Sequence, residues 1–139
     1  MRVRAERVLL APREDVWGFL AEPRHLADWW PGIAAVEPDR RGLAAGARWQ
    51  VRRPPAVRLF RVRSGEELLL VREVEEPRRV AWHFTATGLD AELVLEPAAG
   101  GRTKATLTLE RGVLLGPVRE LPRVALNRLH ALVQTAATL

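Results

Sequence analysis

Between residues 33 and 110 the hydrophobic positions of this chain recur mostly every second residue, the period of a strand with one buried face. From residue 118 onward they recur in steps of three and four, the period of a helix with one buried side. The cleanest alternation is in two neighbouring stretches. Asp90 to Glu96 sets Leu93 and Leu95 against Glu92, Val94 and Glu96, and Thr103 to Glu110 sets Ala105, Leu107 and Leu109 against Lys104, Thr106, Thr108 and Glu110. Further strands are predicted at Arg2 to Leu10, Ala34 to Pro38, Ala47 to Arg53, Val57 to Arg63, Glu66 to Glu75 and Arg79 to Thr87. The segments between them carry turn residues, Arg41-Gly42, Ala45-Gly46, Ser64-Gly65, Glu76-Pro77 and Gly100-Gly101. Pro54-Pro55 cannot donate to a ladder, so it marks an edge, a bulge or a bend.

The last stretch, Val118 to Thr138, predicts one long amphipathic helix. Val118, Leu121, Ala125, Leu129, Leu132 and Ala136 share a side, and Glu120, Arg123, Asn127 and Gln134 take the other. At ~1.5 Å per residue it is on the order of 30 Å long, the diameter of a small domain, so the strands must wrap its apolar face. Pro122 marks a kink or the true start of this helix. Two shorter helices are predicted after the first strand. Pro12 suits a helix start, Glu14 and Asp15 complement the positive end of its dipole, and Val16, Trp17, Phe19 and Leu20 form its buried side. Pro23 opens the second, which runs through Leu26 to Trp29 and Trp30 and stops at Pro31-Gly32.

With 139 residues, 47% of them hydrophobic, residues 1–139 are expected to form a single domain around one core. No run of 18 apolar residues and no signal-peptide pattern occurs, so a cytoplasmic location is expected. Absence of cysteine removes disulfides, thiolate nucleophiles and cysteine metal sites. The net charge of +5 is uneven: eight arginines and no acid lie between Arg40 and Gly65, and Glu66, Glu67, Glu73, Glu75 and Glu76 follow at once. Adjacent strands of opposite charge account for that order.

Four motifs then carry a family likeness along nearly the whole chain: Ala11-Pro12-Arg13-Glu14-Asp15-Val16-Trp17, Asp28-Trp29-Trp30-Pro31-Gly32, Glu76-Pro77-Arg78-Arg79-Val80-Ala81-Trp82, and Leu95-Glu96-Pro97 with Gly100-Gly101-Arg102-Thr103. In order and spacing the chain resembles the polyketide cyclase/dehydrase branch of the START-like superfamily, which also holds the birch-pollen-allergen type. The resemblance implies an α+β helix-grip fold: a curved seven-stranded antiparallel sheet around a long C-terminal helix, two short helices between strands 1 and 2, and a cavity between sheet and helix. It also implies that Ala47 to Arg63 is one strand bent at Pro54-Pro55, because an eighth strand would run parallel to the first. A hairpin at Ser64-Gly65 would then place Phe60, Val62, Leu69 and Val71 on one face and Leu59, Leu68 and Leu70 on the other, and either face could be the inner one.

Large side chains and the small residues opposite them define the expected site. Trp82 shares a strand face with Val80 and Phe84, Trp49 shares one with Val51, and both faces should meet the helix. Trp30, at the joint of the short helices where the family's cavities open, is the candidate gate. Alanines on the centre line of the helix leave room for a ligand. The expected lining is therefore Trp30, Trp49, Trp82, Phe84, Leu95, Leu107, Ala125, Leu129 and Leu132. Plain core packing explains the same residues without a ligand.

Catalytic chemistry has few candidates. Ser64, the only serine, lies in a predicted turn, and His25, His83 and His130 lack the spacing of paired metal ligands. No catalytic residue, metal or cofactor is expected. The expected partner is a small apolar molecule such as a lipid or polyketide, with transient contact at an anionic membrane surface as one route to it. A cyclase or aromatase using His130 as a lone acid or base is the alternative, and an interaction module with a filled core is the second. Nucleic acid is not expected, because strand alternation splits the arginines between faces and glutamates oppose them, as in a pair of Arg63 with Glu66. The oligomeric state is left open.

Overall fold

The computed structural model describes residues 1–54, 66–111 and 119–138, with side chains as far as residue 134 at the C-terminal end. Seven strands are seen among the described residues: β1 (Arg2–Leu9), β2 (Ala35–Glu37), β3 (Arg48–Arg52), β4 (Glu66–Glu75), β5 (Arg79–Phe84), β6 (Leu89–Ala98) and β7 (Arg102–Glu110). They pair in one antiparallel sheet in the order β1-β7-β6-β5-β4-β3-β2, so the first and last strands lie side by side and antiparallel. Helices α1 (Arg13–Leu20) and α2 (Leu26–Trp29), the latter entered through a 3-10 turn at Pro23–His25, separate β1 from β2. Helix α3 (Leu121–Thr138) closes the chain.

Alternation decides which face is inside. On β6 and β7 the buried residues are Leu89, Ala91, Leu93 and Leu95, then Thr103, Ala105, Leu107 and Leu109, and the register sets Leu93 beside Leu107 and Leu95 beside Ala105. On β5, Val80, Trp82 and Phe84 point inward, as their spacing predicts, and on β3 Trp49 and Val51 do so. The open question on β4 is resolved in favour of Glu67, Leu69 and Val71 as the inner set, with Leu68 and Leu70 half-buried on the outside. A bulge between Val71 and Glu73 then shifts the phase, so that Val74 meets Val80.

β4 pairs with β3: Arg52 lies opposite Glu66, Trp49 opposite Leu69, and Val71 N donates to Ala47 O at 2.9 Å. The expected bend of Ala47 to Arg63 at Pro54-Pro55 and the expected hairpin at Ser64-Gly65 fall largely outside the described residues. Residues 55–65, including Pro55, Phe60, Val62, Ser64 and the Arg63 side of the expected Arg63–Glu66 pair, lie outside the described residues.

Helix α3 begins at Leu121, so Pro122 occupies its first turn, where the missing N–H costs no internal bond. Val118 lies outside the described residues. The buried side is Pro122, Ala125, Leu126, Leu129 and Val133, turned slightly from the line through Leu121, Leu132 and Ala136: Leu121 and Leu132 are partly buried, and the side chain of Ala136 lies outside the described residues. α3 packs mainly along β1 and also touches α2, β7 and α1. Arg7 Nη1 fastens the β1 contact by donating to Asn127 Oδ1 at 2.7 Å. The buried Thr103 hydroxyl donates to Ala11 O at 2.7 Å, fixing the start of β7 to the end of the first strand.

Candidate functional site

α2 and β5 together build an aromatic wall. Pro31-Gly32 ends the short helix directly after Trp29-Trp30, Gly32 takes φ +80° to turn the chain, and both indoles are thereby held over the inner face of the sheet. Trp30 stacks on Phe84 with centroids 5.2 Å apart and meets Trp82 edge to face at 5.9 Å. Trp29 lies 5.5 Å from Trp30 and 6.1 Å from Trp82. All four rings are buried, and offset or edge contacts of this kind add about 0.5–1.5 kcal/mol per pair beyond area burial.

Of the residues expected to line a site, Trp30, Trp49, Trp82, Phe84, Leu95, Leu107, Ala125 and Leu129 are all buried in one continuous core, and Leu132 packs at its margin. Ring contacts bring Trp30, Trp82 and Phe84 together directly. Trp49 is occupied otherwise: its Nε1 donates to Gly42 O at 2.9 Å and anchors the β2–β3 loop. Trp29, which the sequence places in a helix but not in the lining, belongs to the wall. A four-residue helix gives no periodicity by which to orient either indole, so Trp29 and Trp30 could not be told apart by spacing.

Glu67 is the other residue that sequence reading passes over, as one of a block of surface acids. It is buried on the inner face of β4, where Arg53 Nη2 donates to its Oε2 at 2.6 Å, while its Oε1 accepts from Ala86 N at 2.9 Å, Thr87 N at 3.1 Å and the Thr87 hydroxyl at 3.2 Å. Arg53 also donates to Gly32 O at 3.4 Å, two residues after the tryptophan pair. The period of two that puts Leu69 and Val71 inside puts Glu67 there as well, and that was the available signal.

The histidines are engaged in three separate places. His25 Nδ1 donates to Phe19 O at 2.7 Å beneath the stacked Phe19 ring, and His83 Nδ1 lies 2.7 Å from Asp90 Oδ1 on the outer face. His130, on α3, is held below its ordinary value by burial first and by the positive charge of Arg7 second. None of these contacts sets one histidine beside another. Among the described residues no three His, Asp or Glu side chains group as a metal site.

Polarity is concentrated on the other side of the sheet. A groove of about 520 Å³ runs across the outer face of β1, β7, β6 and β5, lined by Arg2, Arg4, Arg79, Asp90, Glu92 and Glu110 among others. Arg79 pairs with Glu92 at 2.6 Å and also with Glu73, and Arg2 pairs with Glu110 at 3.1 Å. The interior wall and this groove are thus chemically opposite: one apolar and aromatic, the other ionic and exposed. Among the described residues two fully buried side-chain nitrogens lack a hydrogen-bond partner, Arg13 Nε and Trp82 Nε1.

Comparison with known proteins places this geometry. The model of a family described as polyketide cyclase/dehydrase and lipid transport matches residues 1–137. Among solved structures, XoxI from Bacillus cereus superposes with a TM-score of 0.74 at 10% identity, covering 98% of this chain and 97% of its own. Protein NE0264 from Nitrosomonas europaea gives 0.71 at 18% identity over 100% and 97%, and TTHA0849 from Thermus thermophilus gives 0.72 at 19% over 98% and 99%. At such identities these likenesses establish the fold. No curated protein matches the chain in sequence.

Proposed function

The chain belongs to the polyketide cyclase/dehydrase and lipid transport family, and from that premise we propose that it binds a small, largely apolar molecule between the curved sheet and α3, as a carrier or sensor without a catalytic step. The observation that carries this reading is the aromatic wall of Trp29, Trp30, Trp82 and Phe84, a broad apolar surface on the inner side of the sheet with no charged group among its four members. Ligand sites of this size are typically apolar and aromatic with few polar anchors. Trp30, the residue after α2, serves as the gate, because its ring alone touches Trp29, Trp82 and Phe84 at once. Ala125, on the buried side of the helix that packs beside α2, supplies the opposite, small surface.

Titration with Nile red, followed by displacement with methyl dodecanoate, tests the proposal. One saturable site per chain is expected. Ala125→Phe should weaken it at least about tenfold while leaving the melting temperature within a few degrees, because the ring enters space kept for ligand. In a close-packed interface the same change would instead cost about 1–3 kcal/mol of overpacking, a fall of roughly 4 °C or more for a domain of this size. Absence of saturable binding by the wild type, joined to sharp destabilisation of the variant, would reject the reading in favour of a filled core.

A further inference from the structure

Trp82 holds the one indole of the aromatic wall whose N–H is fully buried and unpartnered. Its situation differs from that of Trp49, whose N–H is spent on Gly42 O, and from that of Arg13, where the orphaned Nε belongs to a partly buried guanidinium with four further N–H groups. Buried donors are nearly always paired in folded proteins, because a donor stripped of water and given nothing in return is destabilising. The backbone around Trp82 offers no relief. β5 lies between β4 and β6, so the carbonyls beside it are committed to ladders with Val71 and Ala91. Among the described residues, buried side chains that carry an acceptor on this face are few: Glu67, whose oxygens are taken by Arg53 and the Ala86-Thr87 turn, and Thr103, whose hydroxyl is bonded to Ala11.

We propose that the Trp82 Nε1–H is the polar anchor of the bound molecule, and that the ligand is an apolar body bearing an uncharged oxygen acceptor, a ketone, ester or ether, which receives that hydrogen bond. This inference rests on the interior binding site proposed above and specifies its ligand. A carboxylate head is disfavoured at this position, since no cation stands among Trp29, Trp30, Trp82 and Phe84 to offset its desolvation. Indole is a donor only, so the selectivity runs one way: toward groups that bring an acceptor and against groups that bring only donors. Ring contacts from Trp29 and Trp30 keep water from the bond and fix the angle at which an acceptor must approach.

Two probes of nearly equal shape, 1-acetylnaphthalene and 1-ethylnaphthalene, separate the hydrogen bond from apolar burial. The readout is the ratio of their dissociation constants in wild type and in Trp82→Phe, because the ketone's easier hydration is common to both proteins and cancels. Loss of the N–H should move that ratio about tenfold against the ketone, the usual size of one neutral hydrogen bond. In the wild type the ketone, and not the hydrocarbon, should shift the Trp82 indole N–H resonance downfield, a reading that survives even if the variant folds poorly. Binding of both probes with an unchanged ratio and no indole shift would overturn the anchor while sparing the interior site, and would assign the N–H to the face of Trp30. Failure of both probes to bind would overturn the two together.

Discussion

His130 illustrates how a single side chain couples this fold to pH. Burial and the guanidinium of Arg7 disfavour its charged form, so the unfolded chain binds a proton more readily than the folded one below about pH 6.5. The sign follows directly: His130 costs no stability above that pH, and stability falls as acidification protonates it in the unfolded state first. Urea midpoints of wild type should therefore drop more between pH 7.5 and 5.5 than those of His130→Gln. Parallel pH profiles for the two proteins would show that Arg7 and burial do not act on this imidazole. The position on α3 was legible in the sequence as a residue at the margin of the apolar stripe. The Arg7 contribution was not, since it depends on the register that brings β1 beneath the helix.

Among the elements, the sheet was easier to read than its connections. β6 and β7 follow the alternation of Leu93, Leu95, Leu107 and Leu109 residue for residue, because a strand buried on one face writes its orientation into every second position. β4 was harder. Leu68 to Val71 is apolar on both faces, and only the pairing of Glu66 with Arg52 and of Leu69 with Trp49 decides which side is inside. Pairing partners are non-local, and the period of the strand does not name them. The longest apolar line of α3 predicts its phase only approximately, because the observed burial of Leu126 and Val133 turns that line toward α2 and β1.

Glu67 binds these elements to one another. It joins the end of β3, through Arg53, to the turn after β5, through Ala86 and Thr87, and Arg53 carries the link to the loop that follows Trp30. Arg53 keeps access to water, so removing the buried Glu67 carboxylate chiefly leaves the Ala86 and Thr87 backbone N–H groups without an acceptor, at about 1–3 kcal/mol for each that stays buried. Glu67→Ala should lose stability on that scale, and Glu67→Gln, which keeps an acceptor for the two backbone N–H groups, distinctly less. Equal denaturation midpoints for wild type and Glu67→Ala would show that the latch is dispensable.

At the scale of the molecule, the protein separates its chemistry by face. Apart from the Glu67–Arg53 pair on the inner face, the ion pairs of the sheet and the 520 Å³ groove occupy its outside, and the apolar and aromatic residues occupy the inside beneath α3. Family and architecture were legible because four short motifs and the strand periodicity extend over most of the chain. Eight of the nine expected lining residues share the buried core, and for those on strands and on α3 the inward orientation was legible from strand and helix period. The ring geometry of the site was not, because Trp29, Trp30 and Trp82 meet only once α2 is folded over β5. No helix among the described residues is long and apolar enough to cross a membrane. The central claim, an apolar ligand held between sheet and helix, is tested most directly by intermolecular nuclear Overhauser effects from bound methyl dodecanoate to the labelled protein. The account predicts cross-peaks from the acyl chain to Leu107, Ala125 and Leu129 and to the rings of Trp30 and Trp82. Cross-peaks confined to the outer face around Ala81 and Thr108, or none at saturating ligand, would contradict it.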